Sequence, residues 1–235
     1  LTASDGTGLK MLSLNARAVV EGPIAFTELH LTFENPQDRV IEGRFSITLP
    51  KGAAISRFAM RLPRGWQEAE VVERQAARRA YEDFLHRKQD PALLEKKAGN
   101  QFRARVFPIP ARGVKELKVS YSQDLKQGDA PYRLPLLGLP QMDKLQINTM
   151  VGKRSGQARS NLGGAGESYE WVRVKKENYK PDRDFEVSLE GMGQGLRKGK
   201  LAVMRITPQF SVTKAEAKGA LILVDTSASR AAGFA

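Results

Sequence analysis

The sequence predicts a mainly β protein: an antiparallel, β-sandwich-like domain with one short packed helix, a second β-rich module, and the truncated first strand of an α/β domain. Three observations support this fold class. Short stretches alternate apolar and polar residues, as half-buried strands do. Glycines and prolines, 21 and 12 of the 235 residues, punctuate these stretches, as turns require. One stretch has the spacing of an amphipathic helix. The predicted division is residues 1–125, 126–217 and 218–235.

Five extended stretches define the predicted first domain, and four of them alternate apolar and polar residues. In "LHLTF" the side chains of Leu29, Leu31 and Phe33 share one face, and Asn35-Pro36 marks the turn that follows. The other stretches are "RFSITLP", "ISRFAMRLP", "FRARVFPIP" and "LKVSY". Short strands with Gly and Pro between them are typical of an antiparallel sandwich.

The stretch "ERQAARRAYEDFLHRK" predicts the helix, over about residues 73–88. It contains no Gly or Pro, and its apolar residues recur at helical spacing: Ala77, Ala80, Tyr81, Phe84 and Leu85. We expect this face to pack on a sheet, which is also the simplest role for the helix.

Residues 126–217 differ in composition from the predicted first domain. "KQGDAPYRLPLLGLPQ" is typical of a connector, and "KLQINTMVG", "YEWVRVK", "FEVSLEG" and "LAVMRITP" predict further strands. Residues 152–168 are polar and rich in glycine, which predicts a long loop. "GMGQG" follows a strand but opens no helix, so we interpret it as a hairpin tip and not as a dinucleotide-binding loop.

The composition excludes several classes of protein. Without cysteine the chain forms no disulfide scaffold, thiol nucleophile or zinc–thiolate site. No apolar run approaches the roughly 18 residues of a membrane span, and the first residues show no targeting segment. Because the chain starts on Leu and ends within a motif, we expect a piece of a longer protein. Cysteine content does not decide the compartment; we favour a secreted or cell-envelope location over the cytoplasm.

The net charge of +12 predicts a basic surface that serves solubility or attracts an anionic neighbour. The basic residues cluster at Arg74, Arg78 and Arg79, at Arg173, Lys175 and Lys176, and at Arg197, Lys198 and Lys200. None of these clusters lies in an RRM-like, KH-like or zinc-finger pattern, which disfavours specific nucleic-acid recognition. Binding of a polyanion, either nucleic acid or an anionic envelope polymer, is kept as the alternative function.

Catalytic patterns are weak. The two histidines, His30 and His86, fall in a strand and near a helix end, and no serine lies in a nucleophile elbow. We therefore expect a protein that is not an enzyme. A pocket that gathers His86 or a carboxylate pair beside an apolar cavity would revive the enzyme hypothesis.

The strongest motif is the D-x-S-x-S pattern of Asp225, Ser227 and Ser229, directly after the apolar run "ALILV". Such a run is typical of a strand buried in a parallel sheet, and loops at the carboxyl edge of these sheets bind ligands. One carboxylate and two hydroxyls suit a hard cation such as Mg²⁺. A plain helix-capping turn explains the pattern equally well.

Several motifs resemble the VIT domain, named for vault-associated proteins and inter-alpha-trypsin inhibitor heavy chains. They are Leu49-Pro50 at a strand end, the run from Ala77 to Tyr81, and Pro108-Ile109-Pro110, in that order. The similarity covers about residues 9–125. "LILVDTSAS" resembles the first strand and metal-ion-dependent adhesion motif of von Willebrand factor type A domains, which commonly follow VIT domains.

The resemblance implies a non-enzymatic adhesion or scaffold protein. Ser227 and Ser229 would ligate Mg²⁺ directly and Asp225 mainly through water, and the metal would bind an acidic residue of a protein partner. The family completes this site with a Thr and an Asp from later loops, which this chain lacks, so we expect weak or no Mg²⁺ binding by the chain alone. Self-association is compatible with this interpretation.

Overall fold

The computed structural model describes residues 1–3, 5–72, 93–97, 100–125, 131–152, 158–164, 171–188, 195–204 and 206. The strands in chain order are β1 (Thr2–Ala3), β2 (Lys10–Glu21), β3 (Ile24–Glu34), β4 (Ile41–Thr48), β5 (Ala53–Leu62), β6 (Gly65–Glu68), β7 (Glu70–Val72), β8 (Leu93–Lys97), β9 (Gln101–Ile109), β10 (Val114–Asp124), β11 (Tyr132–Leu134), β12 (Met142–Val151), β13 (Trp171–Tyr179), β14 (Phe185–Val187), β15 (Gly195–Lys198) and β16 (Leu201–Met204). The mainly β prediction is confirmed.

Two large sheets build the described part of the molecule. The seven-stranded sheet has the order β13-β12-β2-β3-β10-β5-β6, and the five-stranded sheet has the order β1-β4-β9-β8-β7. Most neighbours are antiparallel, as predicted. The pairs β12–β2 and β7–β8 are parallel, which the alternation of apolar residues could not reveal.

The core lies between the sheets, where alternate residues of each strand point inward. Phe45 of β4 stacks on Phe58 of β5 with ring centroids 5.6 Å apart, and Phe58 is fully buried. Burying a phenylalanine side chain contributes about 1.5–3 kcal/mol. Contacts of this kind hold one sheet against the other.

The segment predicted as a second module shares a sheet with the first domain. Its strand β12 pairs with β2 over Lys144–Val151 and Ser13–Val20, so residues on both sides of position 126 belong to one seven-stranded sheet. The β11–β14 pair also contacts this sheet, because the Tyr132 and Thr27 hydroxyls lie 2.7 Å apart in the core. Residues Leu1–Arg205 form one compact unit.

Two buried polar residues join separate parts of the fold. Asn35 is fully buried; its Nδ2 donates to the carbonyls of Arg39 and Pro110 at 2.9 and 2.8 Å. Lys115 is 1% exposed, and its ammonium donates to the carbonyls of Arg61 on β5 and Pro108 on β9, at 3.0 and 2.9 Å. Lys115 therefore links the seven-stranded sheet to the five-stranded sheet.

The predicted helix at about 73–88 and the predicted strand at 220–224 lie outside the described residues. Across the portion that the structure does describe, no helix is long and apolar enough to cross a membrane.

Candidate functional site

The residues predicted to bind metal, Asp225, Ser227 and Ser229, lie outside the described residues, as does His86. Within the described ranges, no group of three His, Cys, Asp or Glu side chains is placed to hold a metal ion. The magnesium site therefore stays a prediction. The described residues instead present a polar and aromatic surface on the seven-stranded sheet.

We call this surface the outer face, because it lies opposite the buried side of the seven-stranded sheet. Adjacent strands are about 4.8 Å apart, so seven strands span roughly 29 Å. The outer face consists of Asn15, Arg17, Val19, Phe26, Glu28, His30, Arg57, Trp66, Glu68, Glu116, Lys118, Ser120, Gln146, Asn148, Met150, Trp171, Arg173 and Lys175.

Strand register arranges much of the outer face in three rows. From β13 towards β10 they are Trp171, Met150, Val19 and Phe26; then Arg173, Asn148, Arg17, Glu28 and Ser120; then Lys175, Gln146, Asn15, His30 and Lys118. The first row is apolar; Val19 and Phe26 are exposed, at 38% and 44% of full exposure, and Met150 and Trp171 are half-buried. The other two rows carry cations, amides and the carboxylate of Glu28. Apolar contact area thus lies directly beside positive charge.

An ion-pair network lies at the β5–β6 side of the outer face. Arg57 Nε donates to both carboxylate oxygens of Glu68, at 2.9 and 3.1 Å, and Arg57 Nη1 lies 3.5 Å from Glu28 Oε2. The Ser120 hydroxyl also donates to Glu28, at 3.4 Å. The hydrogen bonds from Arg57 lower the pKa of Glu68. Arg57 therefore engages two of the face's carboxylates.

Trp66 is the centre of a cationic and aromatic cluster. The Lys118 ammonium lies 4.2 Å from its ring centroid and the Arg61 guanidinium 5.8 Å from it. The His30 ring meets it edge-on at 5.4 Å. Cations over an indole ring are attracted by its negative face, so Trp66 fixes the position of charge that would otherwise move freely.

A small polar pocket of about 100 Å³ lies beside this cluster. Asn15, Arg17, Glu28, His30 and Lys118 line it. One wall is held by a hydrogen bond, because His30 Nε2 lies 2.7 Å from a carboxylate oxygen of Glu116. We call it the outer-face pocket.

A second, larger cavity lies at the edge of the core and has a volume of about 340 Å³. Its lining is mainly leucine, including Leu14, Leu29, Leu31 and Leu134, with Ser46, Thr48 and Tyr121 as its hydroxyl residues. It offers apolar volume but no charged group that would orient a ligand.

The basic clusters of the sequence are distributed unevenly. Arg173 and Lys175 lie on the outer face, whereas Arg197, Lys198 and Lys200 lie at the β15–β16 hairpin. Arg74, Arg78 and Arg79 lie outside the described residues. The sequence reasoning missed Arg17, Trp66 and Lys118, whose only local signal is their outward position in alternating strands.

Comparison with known proteins agrees with the motifs of the first domain. Residues 11–121 match the family model described as the Vault protein inter-alpha-trypsin domain. The chain is also 27% identical over 157 residues to the human inter-alpha-trypsin inhibitor heavy chain H6. That match covers 66% of this chain and 12% of the relative, so the chain spans a small part of the relative's length.

Similar solved structures are distant. A Legionella pneumophila protein described as a putative nutrient binding protein matches with a TM-score of 0.44 and 12% identity, over 77% of this chain and 66% of that chain. An M1 zinc metallopeptidase from Deinococcus radiodurans matches with a TM-score of 0.43 and 11% identity, over 85% of this chain and 47% of that chain. These likenesses carry no argument about function.

The family match also locates the outer-face pocket. All five residues that line it fall within the matched range of 11–121, on β2, β3 and β10. The pocket therefore lies in the part of the chain, residues 11–121, that is similar to the VIT family.

Proposed function

We propose that this chain is the interaction part of a non-enzymatic adhesion or scaffold protein, and that its VIT domain binds a protein partner through the outer face. The supporting observation is the exposed row of Val19 and Phe26 beside the cations of the next row. Protein interfaces are enriched in aromatic residues, Met and Arg, and the outer face has all three. The exposed apolar and cationic side chains of the outer face are suited to binding a partner rather than to catalysing a reaction.

A selection experiment tests this role. A peptide library displayed on phage is selected on the full chain, and the selected binders are then measured on Val19→Asp and on the matched control Val40→Asp. Val40 is 55% exposed and lies outside the outer face. Selected binders should lose affinity for the Val19 variant and keep it for the Val40 variant. Peptides that bind both variants with equal affinity would refute binding at the outer face.

We further propose that Asp225, Ser227 and Ser229 contribute to a Mg²⁺ site once a complete type A domain is present. The support is the oxygen-only donor set, which hard cations prefer. In that domain the metal would hold an acidic residue of the partner. Magnesium titration by calorimetry, on a longer protein that includes the domain and on its Asp225→Ala variant, tests this role; equal binding by both would remove it.

Binding of a polyanion is the second candidate function. It is favoured by Arg173 and Lys175, which project from neighbouring outward positions of β13. Affinity that falls steeply with salt and ignores EDTA would support the polyanion. Affinity abolished by EDTA would support the metal-dependent partner instead.

The proposed role in adhesion implies a cellular location. We propose that the protein acts in the cell envelope or after secretion. Fractionation of cells that express the full-length protein tests this, and recovery in the cytoplasmic fraction alone would contradict it.

A further inference from the structure

We propose that the outer-face pocket captures the carboxylate of an acidic side chain on the protein partner, between Arg17 and Lys118 and without a metal ion. This inference rests on the proposed binding of a protein to the outer face. It differs from the type A site in position and in chemistry, because here the carboxylate meets two organic cations within the VIT domain.

The charged residues around the pocket differ in whether they have a partner of opposite charge. Glu28 lies opposite Arg17 in the register of β2 and β3, but its carboxylate is bound by Arg57 and Ser120. Among the described residues, Arg17 has no ion-pair partner. Arg17 therefore faces the pocket without an ion pair of its own, although Glu28 also lines the pocket.

A second acid near the pocket, Glu116, is engaged in the same way. Glu116 is bound by His30 at 2.7 Å, and the Lys118 ammonium lies over the Trp66 ring. An indole ring attracts a cation but does not neutralise it. Two cations thus border the pocket while the nearby acids bond to other groups, which gives it complementarity to an anion.

Size favours a single small group. The pocket volume is about 100 Å³. A carboxylate with its methylene group fits this space.

Asn15 supplies an unused polar atom at the same place. Its side-chain oxygen is buried, and within the described residues it has no hydrogen-bond partner. The oxygen and nitrogen of an amide are distinguished only by their partners. Turned over, the Asn15 amide would present an N–H as a donor to the incoming carboxylate.

The surroundings favour a protein over a nucleic acid as the source of the carboxylate. A continuous phosphate track needs uninterrupted positive charge, but Glu28 and Glu116 interrupt it here. The apolar row with Val19 and Phe26 begins one row away from Arg17. An acidic side chain flanked by apolar residues matches this combination of cation pocket and apolar contact.

Tryptophan resonances provide a direct test, because the chain has two tryptophans. ¹⁵N-labelled chain is titrated with acetyl-Gly-Glu-Gly-amide and with acetyl-Gly-Gln-Gly-amide at low salt, and the indole N–H signals are followed. The glutamate peptide should shift the Trp66 signal, far more than the Trp171 signal, and the glutamine peptide should not. Equal shifts by both peptides would overturn the inference.

A pair of double variants separates the pocket from bulk charge. Arg17→Gln with Lys118→Gln removes two positive charges at the pocket, and Arg44→Gln with Lys51→Gln removes two elsewhere. The first pair of substitutions should weaken binding of the glutamate peptide about tenfold, which corresponds to about 1.4 kcal/mol. The second pair should leave this affinity unchanged. Equal weakening by both pairs would refute the pocket.

Two further outcomes identify a different failure. Selected peptides that depend on Val19 but not on Arg17 and Lys118 would mean that the outer face binds a protein without capturing a carboxylate. An oligothymidylate strand that displaces the glutamate peptide with steep salt dependence would identify a nucleic acid as the ligand and overturn the inference.

Discussion

The Lys118 ammonium lies 4.2 Å from the centroid of the Trp66 ring, across one intervening strand of the outer face. Lys118 is on β10 and Trp66 on β6, and β5 lies between them. Because both side chains are half-buried, the contact holds a cation at the edge of the outer-face pocket. After the larger effect of Arg57, the ammonium of Lys118 also lowers the pKa of the neighbouring Glu68.

This contact should be measurable as a coupling energy. Trp66→Leu keeps an apolar side chain but removes the ring, and Lys118→Met keeps the aliphatic stem but removes the charge. A double-mutant cycle on the free energy of unfolding should give a coupling of about 0.5–1 kcal/mol. Urea unfolding followed by far-ultraviolet circular dichroism measures it. Strictly additive effects would show that the two side chains are neighbours without attraction.

The pattern of apolar residues along the strands explains how much of the fold could be predicted from the sequence. Alternation identified β3, β4 and β10, because large apolar residues occupy their inward positions. It missed β2, whose inward positions include the small residues Ala16 and Ala18. Small side chains give a weak hydrophobic period, although they pack well where sheets come close.

The outer-face pocket could not be predicted from the sequence for a different reason. Arg17 and Lys118 come from strands about a hundred residues apart, and they share a pocket because β3 pairs with both of their strands. Local patterns give the face on which a residue lies. Long-range register decides which residues meet across that face.

Asn35 should be among the most sensitive polar residues. Its amide donates to two carbonyls, and its Oδ1 accepts the backbone N–H of Gln37 at 3.0 Å. Asn35→Asp keeps the shape, removes both donors and buries a carboxylate. We expect a loss of about 2–4 kcal/mol in the free energy of unfolding.

The matched control is Asn148→Asp on the outer face, where the side chain is half-buried. Surface changes of this kind stay within about 0.5 kcal/mol. Urea unfolding of the two variants gives the comparison. Similar losses in both would show that the Asn35 hydrogen bonds contribute little.

Two adjacent glycines offer a test of close backbone approach. Both have positive φ, +83° at Gly163 and +77° at Gly164. An added Cβ at Gly164 would lie 2.0 Å from the carbonyl oxygen of Arg173, whereas at Gly163 it would meet no atom within 4 Å. The loop therefore lies directly against β13 at Gly164.

Alanine should distinguish the two positions. Gly163→Ala costs only the backbone strain, about 1–2 kcal/mol, and Gly164→Ala adds a collision with backbone that cannot move without disturbing β13. We expect the second variant to have the lower thermal midpoint by several degrees. Equal midpoints would mean that the loop can withdraw from the strand at little cost.

Lys115 should make stability depend on alkaline pH. Burial lowers the pKa of its ammonium from 10.5 to about 8, so between these values the folded chain releases a proton that the unfolded chain keeps. The free energy of unfolding therefore rises with pH across this window, by at most about 1.4 kcal/mol per pH unit for one group. Below the window Lys115 is protonated in both states and contributes no slope.

Buried tyrosines reverse the trend at higher pH. Burial raises the pKa of Tyr121 to about 12 and holds that of Tyr132 well above its usual value of 10. Above pH 10 the unfolded chain loses these protons first, so stability falls. Urea unfolding across the alkaline range should give a rise and then a fall for the wild type, and only the fall for Lys115→Met. The Lys115→Met variant has no buried ammonium. A rise in stability of equal size in this variant would therefore show that other groups cause the rise.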